Sequence, residues 1–138
     1  MTQDNPLFSI VIPCYNYGHC VGRAIESALN QSQQCEFDIT VVDDGSSDNS
    51  AKICKSLGMN LISFEINKGK GAALQAGLIK AAELGFEFAF CIDSDQQHDP
   101  IHIPAFLKKQ NETNSGVVLG CRQLTPKYMP LMRICSNK

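Results

Sequence analysis

Asp93 and Asp95 stand two positions apart, directly after an apolar run over residues 88–92. The run contains no polar residue, which is typical of a strand covered on both faces. Two carboxylates at the end of such a strand repel each other unless a positive charge lies between them. Their oxygens suit Mg²⁺ or Mn²⁺. The pair therefore predicts a metal site, and a polar turn closed by Asp99 and Pro100 is the alternative.

Polar clusters also follow two other predicted strands. Residues 13–16 come after the strand 8–12, and residues 43–47 come after the strand 37–42. In open α/β sheets, ligands bind outside the carboxyl ends of the strands. Together with residues 93–97, these clusters predict one ligand site at one edge of a sheet.

Several side chains near these clusters suit a nucleotide. Asp44 could accept a hydrogen bond from a base or a ribose hydroxyl, whereas Asp43 fits an Asp-Gly turn equally well. Tyr15 could stack on a base or cover the sheet edge. Lys68 and Lys70 lie among glycines before a predicted helix, where backbone amides can bind a phosphate. The G-K-[ST] ending of a Walker A loop is absent, so this signal is weak alone.

Two further residues have open roles. His98 could be a metal ligand, an acid or base, or a structural residue, and we favour the structural role. Arg122 follows the last predicted strand and could bind an acceptor phosphate, although a solvated surface arginine is the alternative.

The elements that must position these residues alternate along the chain. Alternating strands and helices predict a three-layer α/β/α sandwich with a mostly parallel sheet. The predicted strands cover residues 8–12, 37–42, 60–64, 88–92 and 116–121. The predicted helices cover residues 20–31, 49–57, 72–84 and 103–110.

Composition limits the class of protein. The chain has 138 residues, 43% of them hydrophobic, and a formal net charge of −2, which argues against nucleic acid as a partner. Seven cysteines without a C-x-x-C pair, most of them predicted core residues, and no signal peptide predict a reducing cytoplasm. No apolar run approaches the ~20 residues that span a bilayer. We therefore expect contact with the inner face of the membrane only peripherally or through segments outside this sequence.

Four motifs carry a resemblance to a known family. They are SIVIPCYN at residues 9–16, VVDDGSSDNS at 41–50, NKGKGAAL at 67–74 and DSDQQHDP at 93–100. In this order they resemble the family 2 glycosyltransferases of the GT-A fold. Within that family the chain looks closest to the polyprenyl-phosphate sugar transferases, such as dolichyl-phosphate mannose or glucose synthases. The resemblance implies transfer of a hexose from UDP or GDP to an acceptor such as a polyprenyl phosphate, by an inverting reaction.

The resemblance also implies a metal site and two catalytic residues. Asp93 and Asp95 match the D-x-D motif that holds Mg²⁺ or Mn²⁺ on the diphosphate, and Gln97 matches the glutamine that joins it in this branch. Arg122 matches the arginine of the family's G-S-R segment, which faces the acceptor phosphate, with Cys121 in place of serine here. Asp95 and Arg122 are the implied catalytic residues.

A nucleotide pocket is implied in the same way. Asp44 falls on the nucleobase-binding acid of the family, and Pro13 and Tyr15 line the same pocket. Lys70 lies in the phosphate-facing loop, and Asp93 completes the nucleotide-binding set.

The domain prediction follows from these matches. Residues 1–122 are expected to form the donor-binding half, and residues 123–138 the start of a truncated acceptor-side region. One alternative is a sugar-1-phosphate nucleotidyltransferase, which would carry G-x-G-x-R after the first strand, where this chain has PCYNYG. The other alternative is a nucleotide-binding fragment without transferase activity.

Overall fold

A computed structural model describes residues 8–30, 37–95 and 98–120. Strands and helices alternate as predicted. The strands are β1 (Phe8–Cys14), β2 (Phe37–Asp43), β3 (Asn60–Ser63) and β4 (Phe88–Cys91). The helices are α1 (Gly18–Leu29), α2 (Ser50–Ser56), α3 (Lys70–Glu83) and α4 (Ile103–Thr113), with a 3₁₀ turn at Pro100–His102. The chain divides into two compact units, Met1–His102 and Ile103–Lys138.

The first unit contains a parallel sheet in the order β3-β2-β1-β4. The chain runs outward from β1 through β2 to β3 and then returns past β1 to reach β4. This reversal makes the carboxyl ends of β1 and β4 a topological switch point, where open α/β sheets bind ligands. The register places Cys14 beside Asp43, so the segments that follow β1 and β2 leave the sheet together.

Helices cover both faces of this sheet. On one face, Val11 and Val42 pack with Ala73 of α3. Close packing of α3 requires Gly77, because a Cβ atom there would overlap the side chain of Val11. Side chains alternate along a strand, so Cys14 points to the opposite face, where Ser50 of α2 lies close to its thiol. Helix α1 packs against α2. The three-layer arrangement is therefore confirmed.

Strand β4 is less covered than the sequence predicts. In the described part of the sheet it is an edge strand paired only with β1, and Cys91 is exposed. Phe90 is half-buried and packs edge-on against Phe8, with 5.0 Å between ring centroids. Residues 88–91 are half-buried or exposed, and of this run only Ile92 is buried, so the prediction of a strand buried on both faces is wrong. An apolar run shows that a segment packs, but not how many neighbours its strand has.

The other described cysteines lie deeper. All four described cysteines are free; Cys14 and Cys54 are buried, and Cys20 is half-buried. Burial raises the pKa of the Cys14 thiol, and it raises that of Cys54 to about 12. Exposed Cys91 is the exception to the prediction of core positions.

The predicted strand over residues 116–121 is also wrong where it can be compared. Residues 116–120, in the second unit, have no strand structure, and Val117 and Leu119 are 74% and 81% exposed. A short apolar run becomes a strand only where a neighbour offers backbone partners. Cys121 and the predicted domain boundary at residue 122 lie outside the described residues. None of the helices in the described ranges combines the length and hydropathy needed to cross a bilayer.

Candidate functional site

A cleft of about 290 Å³ lies at the carboxyl edge of the sheet. The ends of β1, β2 and β4 and the first turn of α3 form its walls. Six of the predicted site residues line it: Pro13, Tyr15, Asp44, Lys70, Asp93 and Asp95. The sequence prediction of one shared site is therefore consistent with the geometry. Gln97 and Arg122 lie outside the described residues.

Asp44 holds the loop between β3 and α3. Its side chain is buried, and its two carboxylate oxygens accept hydrogen bonds from the backbone N–H groups of Lys68 (2.7 Å) and Gly69 (2.9 Å). Its own N–H donates to the carbonyl oxygen of Cys14 at 2.8 Å. Each carboxylate oxygen has a second lone pair, so Asp44 can still accept a hydrogen bond from a ligand.

Gly45 brings the same loop close to the end of β2. It has a φ of +73°, and a Cβ atom there would lie 2.5 Å from the carbonyl carbon of Ile66 and 2.6 Å from the nitrogen of Asn67. No other residue type fits both this backbone conformation and this contact. Next to it, Asp43 Oδ1 accepts the N–H of Ser46 at 3.2 Å, which supports the turn interpretation of Asp43.

Asn16 joins the loops that follow β1 and β2. Its backbone N–H donates to Ser46 Oγ at 2.9 Å, and its Oδ1 accepts the N–H of Ser47 at 2.9 Å. Asn16 has a φ of 54°, a left-handed conformation that asparagine tolerates better than most residues. These contacts hold the loop that carries Tyr15 against the loop that follows Asp44.

Asp48 adds a second link between the same loops. Its Oδ2 accepts the N–H of Gly18, the first residue of α1, and its Oδ1 accepts the N–H of Ser50, both at 2.9 Å. Partial burial by itself would raise the pKa of Asp48, but hydrogen bonds from Ser50 and Gly18 outweigh it and lower the pKa. The link between Asp48 and Gly18 could not be predicted from the sequence, because the two residues are 30 positions apart.

At the other end of the cleft, Lys70 and Asp93 form an ion pair. Lys70 Nζ lies 2.6 Å from Asp93 Oδ1, and the two side chains are 60% and 25% exposed. The backbone N–H of Asp93 donates to Nδ1 of His98 at 3.1 Å. This contact supports a structural role for His98, since it fixes the backbone that carries Asp93.

The residues at this end fit a divalent metal shared with a ligand. In the described part of the chain, no group of three or more His, Cys, Asp or Glu side chains could hold an ion alone. Asp93 and Asp95 nevertheless line one cleft, and Asp93 already binds a cationic group there. Mg²⁺ typically uses one or two carboxylates and takes its other ligands from phosphates and water. The donor set therefore suits Mg²⁺ or Mn²⁺ bound together with a diphosphate.

Six lining residues were not predicted individually as site residues, although two of them, Cys14 and Ser94, lie within the predicted polar clusters. The six are Cys14, Tyr17, Asn67, Gly69, Ala73 and Ser94. The sequence contained a signal for Tyr17, because Tyr17 is a second aromatic residue in the PCYNYG segment that carries Tyr15. It also contained a signal for Gly69, because a glycine before a helix can adopt the positive φ of 91° that this residue has.

Comparison with known proteins identifies the class. The family described as Glycosyl transferase family 2 matches residues 9–133. The chain belongs to this family. The predicted family and the predicted α/β fold are therefore confirmed.

A characterised relative is the UDP-N-acetylglucosamine–dolichyl-phosphate N-acetylglucosaminyltransferase of Methanococcus voltae. It is 34% identical over 152 aligned positions, which cover 95% of this chain and 59% of the relative. An uncharacterized relative from Methanocaldococcus jannaschii is 36% identical, and the chain spans 56% of its length. The chain thus spans just over half the length of these two curated relatives.

Solved structures share the fold. The crystal structure of S. aureus TarS 1–349 in complex with UDP-GlcNAc matches with a TM-score of 0.64 and 25% identity, covering 84% of this chain and 37% of that chain. Glucosyl-3-phosphoglycerate synthase of Mycobacterium tuberculosis, in complex with Mn²⁺ and UDP-glucose, matches with a TM-score of 0.62 and 24% identity, covering 82% and 42%.

Proposed function

We propose that the cleft binds a nucleoside-diphosphate sugar, and that this chain is the donor-binding part of a glycosyltransferase that moves a hexose to an acceptor. The observation that carries the proposal is the presence of Asp44, Lys70, Asp93 and Asp95 around one cleft at the switch point of the sheet. A buried acid at one end and carboxylates beside a lysine at the other match the two ends of a nucleoside diphosphate.

The proposed ligand lies along the cleft with its base near Asp44 and its diphosphate near Asp93. At the base end, Asp44 accepts an N–H of the base, and Tyr15, which is 45% exposed, stacks on the ring. At the diphosphate end, Asp93 and Asp95 hold Mg²⁺ or Mn²⁺, and Gln97 is the proposed third protein ligand. The metal supplies positive charge that stabilises the departing diphosphate. Lys70 adds a donor for a phosphate oxygen.

UDP is the proposed nucleotide. The M. voltae relative is named for a UDP-sugar, and TarS was crystallised with UDP-GlcNAc. The fold neighbour from M. tuberculosis was crystallised with Mn²⁺ and UDP-glucose, which supports a metal-bound donor.

A polyprenyl phosphate is the proposed acceptor, with Arg122 as its phosphate contact. The name of the M. voltae relative, which includes dolichyl phosphate, supports this choice. An acceptor phosphate is already ionised and attacks the anomeric carbon from the side opposite the leaving diphosphate, which inverts that carbon. Such an acceptor needs little help from a general base.

Calorimetric titration with UDP and GDP, each with Mn²⁺ or with EDTA, tests the proposal. We expect UDP to bind at least about tenfold more tightly with Mn²⁺ than with EDTA, because Asp93 and Asp95 would hold the ion and its charge would offset that of the diphosphate. Asp95→Asn should remove this gain.

Asp38→Asn is the matched control, since it removes the same charge near the amino end of β2 and should keep the gain. If neither UDP nor GDP binds, the proposal is contradicted. Separate assays of sugar transfer and of donor hydrolysis then distinguish a transferase from a protein that only binds the donor.

A further inference from the structure

The Lys70 ammonium lies where a metal ion would compete with it. Its nitrogen is 2.6 Å from Asp93 Oδ1, inside the cleft that Asp95 also lines. A cation bound to the same carboxylate oxygen would meet the ammonium at close range. Two positive groups this close repel each other unless an anion separates them.

Hydrogen bonds to Asp44 hold the backbone just before Lys70, whereas the Lys70 side chain is largely exposed. Lys70 is the first residue of α3, and the preceding residues Lys68 and Gly69 donate their N–H groups to the buried Asp44. The Lys70 side chain is 60% exposed, so its ammonium can change partners without movement of the helix. A partly exposed ion pair of this kind is weak, worth about 0–1 kcal/mol in general, and is therefore easily exchanged.

From this geometry we infer that Lys70 is a positioning residue that serves as the counter-cation of Asp93 before the ligand binds. When the divalent metal arrives with the diphosphate, it takes the place of the ammonium at Asp93. The released ammonium then pairs with a phosphate oxygen of the same ligand. This inference rests on the proposed function and adds an exchange of cations to it.

The exchange predicts opposite effects of Lys70 on two ligands. Free metal has to displace the ammonium without offering it a new partner, so Lys70 weakens the binding of metal alone. The nucleotide supplies that partner, so Lys70 strengthens the binding of nucleotide with metal. Metal and nucleotide therefore bind cooperatively, and Lys70 contributes to their coupling.

Lys70→Met and the control Lys68→Met test the exchange. Each variant removes one positive charge from the segment where α3 begins. The two ammonium groups lie in different places, however. That of Lys68 lies 4.5 Å from the centroid of the Phe64 ring, and Lys68 is not among the residues that line the cleft. Mn²⁺ binding without nucleotide is measured from the EPR signal of the free ion, and UDP binding with Mn²⁺ by calorimetry. Circular dichroism checks that each variant is folded.

We expect Lys70→Met to bind Mn²⁺ alone about three- to tenfold more tightly than the wild type, because a competing charge is lost. The same variant should bind UDP with Mn²⁺ about tenfold more weakly, because a phosphate contact is lost. Lys68→Met should stay within about twofold of the wild type in both measurements. A purely structural role for Lys70 would not move the two affinities in opposite directions.

Two results would overturn the inference, and they are distinguishable. If the wild type binds UDP with Mn²⁺ but Lys70→Met binds Mn²⁺ no more tightly than Lys68→Met, only the exchange is wrong. If no variant binds Mn²⁺ even with UDP present, the proposed metal site fails, and the exchange fails with it.

Discussion

The two ends of the cleft are built differently. At the end near β1 and β2, hydrogen bonds of Asp44 and Asn16 and the close approach at Gly45 join three loops. At the end near β4, Asp93 is held by the exposed Lys70 and by His98. The first end is organised by several hydrogen bonds to backbone groups, whereas the second depends on the ion pair between the exposed Lys70 and the half-buried Asp93.

The position of each strand in the sheet explains the difference. Strands β1 and β2 are flanked by neighbours on both sides, and the carboxylates of Asp43 and Asp44 at the end of β2 are buried and paired within the protein. Strand β4 is the edge in the described sheet, and Asp93 and Asp95 at its end are only half-buried. This difference agrees with the proposal of a preformed base site beside a charged site that the ligand would complete.

Gly45→Ala should have the largest effect on stability. The substitution puts a Cβ atom against the backbone of Ile66 and Asn67, so we expect a loss of about 3 kcal/mol in the free energy of unfolding. Gly58→Ala is the control, because Gly58 has a similar φ of +71° with nothing within 4 Å of the added atom. It should cost about 1 kcal/mol. If urea denaturation gives equal losses of unfolding free energy for Gly45→Ala and Gly58→Ala, the backbone at Ile66 and Asn67 is not in close contact with Gly45.

Asp48→Ala should have an intermediate effect. The variant loses the hydrogen bonds that Asp48 accepts from the N–H groups of Gly18 and Ser50, and we expect a loss of about 1–2 kcal/mol in the free energy of unfolding for the two together. Because the pKa of Asp48 is lowered in the folded protein, its stabilisation is present above the ordinary aspartate pKa of about 3.9 and is lost as the pH falls through its folded value.

Denaturation of both proteins at several pH values measures this effect. The difference between wild type and Asp48→Ala should be constant near neutral pH and should shrink below about pH 3.9. A difference that grows with acidity would contradict the assigned hydrogen bonds.

Lys70→Met should have the smallest effect on stability. Its ion pair is largely exposed, so we expect a change of less than about 0.5 kcal/mol in the free energy of unfolding. A thermal melt at low and high salt measures it. A loss comparable to that of Asp48→Ala would mean that the β4 end is as firmly organised as the other end.

The fold and the gathering of the site were predictable from the sequence because both depend on local patterns. Apolar runs and helical stripes gave the alternation of elements, and polar residues after the runs at 12, 42 and 92 marked the sheet edge. The edge position of β4 was not predictable, since residues 88–92 look the same whether one neighbour or two are present.

Contacts between segments that are distant in the sequence could not be predicted either. The link from Asp48 to Gly18 and the pair formed by Lys70 and Asp93 exist only because the sheet order brings separate loops together. Helix α3 begins at Lys70, two positions before the predicted start, which places this lysine in the first turn. Charge and spacing in the sequence identified the candidate residues, whereas only the folded sheet shows which of them are in contact.

Paramagnetic broadening by Mn²⁺ with UDP reports where the metal binds. In ¹H–¹⁵N spectra of the wild-type chain, we expect broadening of the amide signals of Tyr15, Lys70 and Asp93. The signals of Gly58 and Gly85, which precede β3 and β4 at the amino edge of the sheet, should stay sharp. Asp95→Asn should abolish the broadening. Broadening centred on other residues, or none with UDP at saturating concentration, would contradict a metal–diphosphate site in this cleft.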